Sequence, residues 1–214
     1  ETAKYRKARI EVIAFGVDTA RFKPKNPKPT GTLNFATAKS LQPIYNIDAA
    51  VQSFAQLLND APNLPISLHV AGDGPEMSRC KTFAGTYLNR NIYFHGRVAH
   101  EAMPAFFADK HVLINIPDTE SFGVSVVEAS AAGLAIIATR TGGLPEVVKE
   151  GTTGWLIDLA TGSALQRAIM SFVDSPELAS KMGATGMLFA ERHYPWEASV
   201  LMQMTAYEGL LSKS

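Results

Sequence analysis

PDTESFGVSVVEASAAGLAIIATRTGG, residues 117–143, compresses a strand end, an acidic turn, a helix and a second strand into one short stretch. Just before it, HVLINI (111–116) is an apolar, β-branched run of strand length that Pro117, Asp118 and Gly123 break into a turn. The small and apolar residues from Val124 to Ala132 predict a helix starting near Gly123. Gly133 suits the left-handed residue after a helix, and LAIIAT (134–139) reads as a buried strand. In a parallel unit of this kind a ligand sits beyond the carboxyl ends of the strands and faces the helix N-terminus, where free amides and the macrodipole favour an anion. Gly123 would let a phosphate approach that backbone closely. Glu120 precedes the helix and Glu128 lies about five residues into it, roughly 7 Å along the axis, so two carboxylates bracket the anion. Because a carboxylate is a poor phosphate partner but a good acceptor from hydroxyls, the pair points to a phosphate flanked by a sugar and a ribose. That describes a nucleotide-sugar.

The two glutamates stand in E-S-F-G-x4-E-A, followed by G-G-L-P-E-V-V (142–148) and G-x-x-G-W-L (151–156). The pattern resembles the retaining glycosyltransferases of family 4, of the GT-B fold. The likeness covers nearly the whole chain but only one of that fold's two halves. It implies an α/β domain, a Rossmann-like parallel sheet with helices on both faces, corresponding to the C-terminal, donor-binding half. The N-terminal acceptor domain is expected to be absent from this sequence, and 1–214 to be a truncated piece. The resemblance assigns Glu120 to donor-sugar hydroxyls, Glu128 to ribose hydroxyls, and the amides of Phe122, Gly123 and Val124 to the diphosphate.

Other segments carry weaker signals. GVDTARF (16–22) resembles the family's domain-junction segment, with Gly16 allowing a tight turn near the donor and Asp18 capping it; an ordinary turn is the alternative. The basic start ETAKYRKAR is expected to be a linker remnant and KPKNPKPTG (23–31) an exposed loop. TLNFATA (32–38) reads as a buried strand, and residues 46–59 as a helix whose apolar face carries Ile47, Ala50, Val51, Phe54, Leu57 and Leu58. Between them the family resemblance meets its main departure. Ser40 stands where an arginine is expected and Tyr45 where a lysine is expected, so those two phosphate-binding cations are missing. Lys39, one residue away, is a candidate replacement, as a point charge without arginine's bidentate geometry; its alternative is a solvated lysine.

ISLHVAGDGPE (66–76) is a strand entering a glycine-rich turn and a helix over 76–88, with Gly72 and Gly74 placed to let the loop pass near the donor or simply to turn the chain. It fails as a dinucleotide fingerprint because Pro75 and Met77 occupy the stretch that needs a third glycine. NIYFHGRV (91–98) is a further strand. The resemblance implies that backbone at Gly96 and Val98 faces the base, which leaves the base unnamed by side chains. His95 and His100 are read as surface or capping residues. Gly142 and Gly143 point to close packing beside the donor, and Glu146 to a surface charge or a first-turn residue of a short helix. Amphipathic stretches over 162–173 and 176–190 precede a terminal helix; the resemblance implies that it packs on the absent domain, leaving Trp196, Leu201 and Met202 partly uncovered, and burial in the local core is the simpler alternative.

Composition limits the function classes. With 20 basic and 20 acidic residues among 214, the formal charge is zero, so no global field draws in nucleic acid or an anionic membrane. Any membrane association would come through the absent half. The single cysteine excludes an internal disulfide, and a cytoplasmic location is the default expectation. No cofactor is expected. Asp118 and Glu120 form D-x-E, loosely like a manganese-binding pair, but a metal-independent site built on helix amides and a basic residue is the preferred reading. Two other classes stay open: a nucleotide-sugar epimerase on the same fold and a non-catalytic nucleotide-binding module.

Overall fold

The computed structural model describes residues 11–23, 31–158 and 163–211. The opening basic stretch, most of the Pro- and Lys-rich loop and the start of the 162–173 stretch lie outside them. Six strands, β1 (Leu33–Ala38), β2 (Ile66–Ala71), β3 (Ile92–Gly96), β4 (Val112–Asn115), β5 (Ala135–Thr139) and β6 (Gly154–Ile157), form one sheet in the order β3-β2-β1-β4-β5-β6. Every pairing is parallel. A parallel pair needs a crossover, and the helices supply it. They are α1 (Ile47–Asp60), α2 (Met77–Ala84), α3 (Met103–Phe107), α4 (Val124–Ala131), α5 (Leu144–Val147), α6 (Ser163–Asp174), α7 (Pro176–His193) and α8 (Trp196–Leu211).

The strand periodicity of two divides the core into two layers. Leu33 and Phe35, with Ile66, Leu68 and Val70, face α1, α2 and α6. Ala36, Leu113 and Ile136 face the other way, against α3, α4 and α5. Central strands buried on both faces explain why LAIIAT and HVLINI are continuous apolar runs rather than alternating ones. The fold is the expected parallel sheet with helices on both sides. The helix expected over 76–88 is shorter, because Gly85 adopts φ 52° and ends α2 in a 3-10 turn.

The chain builds β1, β2 and β3 outward on one side, then returns to place β4 on the other side of β1. At such a switch point the loops leaving neighbouring strands diverge and open a crevice at the carboxyl edge.

Candidate functional site

At that edge lies a cavity of about 900 Å³, within the range of ordinary small-molecule sites. Lys39 and Ser40, from the loop after β1, form one wall, and Gly72 and Gly74, from the loop after β2, form the floor. Arg97, Val98 and His100 enter from the loop after β3, while Ser125 and Glu128 face it from α4.

Two of these loops are zipped together by main-chain bonds. Leu41 N–H donates to the Asp73 carbonyl at 2.9 Å, and Glu76 N–H to the Leu41 carbonyl at 3.0 Å. Their approach is so close that a Cβ on Gly72 would sit 1.8 Å from the Lys39 carbonyl oxygen. The glycine therefore sets the distance between the wall that carries Lys39 and the cavity floor.

Lys39 is mostly buried, and its ammonium donates to Glu120 Oε2 at 2.5 Å while lying 5.0 Å above the Tyr45 ring. The aromatic ring at position 45 thus packs against the remaining cation. Ser40 Oγ turns away and donates to the Asp73 carbonyl. An ammonium has three donors, so two remain beyond the one given to Glu120. Glu120 does not line the cavity itself; it reaches it through Lys39.

The turn holding Glu120 is pinned from outside. A Cβ on Gly142 would fall 1.8 Å from the Glu120 carbonyl oxygen, and Gly143 N–H donates to that carbonyl at 3.0 Å. The close packing expected of this glycine pair is therefore packing against the acidic turn. Gly123 is left-handed at φ 94°, and its missing side chain makes room for Leu144. No side chain caps α4; in its first turn Val126 N–H donates to the Gly123 carbonyl at 2.9 Å, while the amides of Val124 and Ser125 come too early in the helix for an intrahelical carbonyl. Phe122 packs edge-on against Tyr194, and Val124 is exposed.

Glu128, in the fifth position of α4, is buried yet reaches the cavity wall. His100 Nε2 lies 2.8 Å from its Oε1, so the histidine read as a surface or capping group is indeed exposed and also a partner of the central carboxylate. Nothing in the local sequence announces that pairing. Ser125 was also missed, although it sits three residues before Glu128 on the same helical face. Its Oγ is buried without a hydrogen-bond partner.

Among the expected donor-contacting residues, the cavity gathers Lys39, Gly72, Gly74, Val98 and Glu128. Gly96 lies beside it, accepting from Gly72 N–H at 2.7 Å. Gly16 is elsewhere, with its Cβ position 2.6 Å from Trp196 Cα at the start of α8. Asp118 accepts from Asn46 Nδ2 at 2.7 Å, so the two carboxylates of D-x-E are engaged by different partners.

Residues 18–188 match the family model described as Glycosyl transferases group 1. The D-inositol 3-phosphate glycosyltransferase of Streptomyces scabiei is 29% identical, over 93% of this chain and 48% of its own length. A GDP-mannose-dependent alpha-(1-6)-phosphatidylinositol monomannoside mannosyltransferase from Mycolicibacterium smegmatis is 26% identical over 88% of this chain and 53% of its own. The chain thus spans about half the length of these curated relatives. Among solved structures, a sucrose-phosphate synthase from Thermosynechococcus elongatus superposes over 100% of this chain and 57% of its own, with TM-score 0.83 and 22% identity. The C-terminal domain of a glycosyl transferase group 1 family protein from Francisella tularensis is covered over 99% of its length, with TM-score 0.73 and 19% identity.

Proposed function

This chain belongs to the group 1 glycosyl transferases, and from that premise we propose that it is the donor-binding half of a retaining, family 4 enzyme. The whole protein would move a hexosyl group from a nucleoside diphosphate sugar to an acceptor hydroxyl in the cytoplasm. The observation that carries this reading is the cavity at the strand switch point, which holds Lys39 and Glu128 on its walls beside the uncapped start of α4.

In this reading Glu128 accepts from ribose hydroxyls and Glu120 from hydroxyls of the transferred sugar. The amides around the start of α4, from Phe122 to Val124, and the two remaining protons of Lys39 meet the diphosphate. Negative charge grows on that group as the glycosidic bond breaks, and donors already fixed in place stabilise it without reorganisation. Metal is not needed for this stabilisation, since amides and an ammonium supply it. The separate engagement of Asp118 and Glu120 is consistent with a metal-independent site.

The acceptor would be held by a facing domain of the same protein. The exposed apolar side chains of α8, among them Trp196, Leu201 and Met202, support a covering partner there. A non-catalytic nucleotide-binding module remains the competing reading, favoured by Ser40 and Tyr45 in place of the family's two cations. Calorimetry on residues 1–214 with UDP, GDP and ADP and their hexose conjugates tests the site. We expect at least one diphosphate to bind, and binding by none of them would overturn the assignment. Turnover by the full-length protein then separates enzyme from module.

A further inference from the structure

Glu128 presents a problem that the ribose assignment alone does not solve. Its carboxylate is buried, with a side chain only 8% exposed. A buried carboxylate is costly unless hydrogen-bonded, and it rotates freely about its last torsion unless one oxygen is held. The hydrogen-bonding partner that the structure provides is His100 Nε2, at 2.8 Å from Oε1. The ring of His100 is itself backed by Phe22, at 6.2 Å between centroids, and Phe22 is fully buried against Phe107. His100 opens the 3-10 turn after the loop that follows β3, and its side chain is 58% exposed, so its contacts with Glu128 and Phe22 are what hold the ring in place.

We propose that His100 is a positioning residue for Glu128, holding one carboxylate oxygen so that the other faces a vicinal diol of the bound ribose. Nε2 carries the proton and donates to Oε1; Oε2 and the second lone pair of Oε1 stay available as acceptors. This rests on the reading of Glu128 as the ribose ligand. It adds a specificity determinant that comes from a different loop from α4 and bears on discrimination of ribose from deoxyribose. A site that hydrogen-bonds a hydroxyl rejects analogues lacking it, provided that its acceptor is correctly aimed.

The test uses residues 1–214 and whichever of UDP or GDP binds the wild type more tightly, alongside its 2′,3′-dideoxy counterpart. The readout is the ratio of the two affinities, since a merely structural effect would weaken both ligands together. Wild type should prefer the ribose form. His100→Ala should reduce that preference about fivefold to tenfold, as expected for loss of a charge-assisted hydrogen bond that aligns the acceptor. His100→Gln, whose side-chain amide can still donate, should retain more of it, and thermal melts establish that each variant is folded. An unchanged ratio in His100→Ala would overturn the proposal, as would tighter ribose binding, which would make His100 a competitor for Glu128. A wild type with no preference for ribose would instead overturn the assignment of Glu128, so the two failures are distinguishable.

Discussion

Glu120 and Glu128 belong to one motif, yet their surroundings differ. Glu128 sits in the cavity wall under His100, while Glu120 lies outside that wall, tied to Lys39. Glu128→Gln should therefore weaken a nucleoside diphosphate and its sugar conjugate alike, by about 1.5 to 3 kcal/mol for a lost charge-assisted hydrogen bond. Glu120→Gln should leave the bare diphosphate nearly unaffected, or bind it slightly better because the ammonium of Lys39 is released, and weaken the sugar conjugate. Calorimetry with both ligands, on variants with matched melts, checks this; equal losses throughout would mean that the carboxylates only support the turn. The motif itself was legible in the sequence. Which glutamate is buried, and which is paired with a lysine 81 positions away, was not.

At the scale of elements, close backbone approach fixes how the helices sit. On α7, a Cβ added to Gly183 would fall 1.9 Å from the Gly133 carbonyl oxygen, just where α4 gives way to β5. Neither group is a flexible side-chain end. Gly183→Ala should destabilise the chain by about 2 to 3 kcal/mol through overpacking. Gly209 in α8 has nothing within 4 Å of that position, so Gly209→Ala should stabilise by about 0.5 to 1 kcal/mol from helix propensity. Denaturant melts on the two variants check the opposite signs.

The face of β2 and β3 turned towards α3 carries a directed chain of hydrogen bonds. Ser67 Oγ donates to Asn34 Oδ1 at 2.9 Å, which leaves it to accept from His69 Nε2 at 3.2 Å. His69 Nδ1 then accepts from His95 Nε2 at 3.1 Å. Nearby, His111 Nδ1 accepts from the Asn34 N–H at 2.9 Å. All three imidazoles are thus placed as neutral rings. Burial, followed by the Lys110 ammonium and His95, lowers the pKa of His69 from 6.5 to about 4. Burial is also the leading cause of the lowered values of His95 and His111. In this window the unfolded chain binds more protons than the folded one, so the contribution is present above about pH 6.5 and is lost as pH falls towards 4. With solvent screening at this half-exposed pair allowed for, His69 should account for about 1 to 2 kcal/mol of that loss. Urea melts from pH 7.5 to 4.5 should show the decline, with a shallower slope in His69→Gln.

On the scale of the whole molecule, the chain spans about half the length of the curated relatives it matches. It covers 48% of the Streptomyces relative, and α8 leaves Leu201, Tyr207 and Leu210 each at least 65% exposed. If the proposed facing domain covers that face and holds the acceptor, this chain alone lacks part of the reaction site. Residues 1–214 should bind a nucleoside diphosphate weakly and transfer no sugar; multiple turnover onto a defined acceptor would refute this. Excess chelator should leave nucleotide-sugar affinity unchanged, and loss of affinity restored by manganese would return the Asp118 and Glu120 pair to consideration as a metal site. No helix among the described residues is long and apolar enough to cross a membrane.

Strand and helix periodicity, the glycine after α4, the acidic turn and the motif that carries the family resemblance are local properties, written within a few residues of one another. They were sufficient for the parallel α/β architecture and for the glycosyl transferase family. The sequence also showed what was missing, at Ser40 and Tyr45. It could not show that Tyr45 lies under Lys39, that Lys39 holds Glu120, or that His100 meets Glu128. The Lys39–Glu120 and His100–Glu128 contacts join segments that follow different strands, and they exist because β4 returns to lie beside β1 in a parallel sheet whose strands all end at one edge. Local pattern determines which elements form; the order in which the sheet assembles them decides which side chains share a cavity.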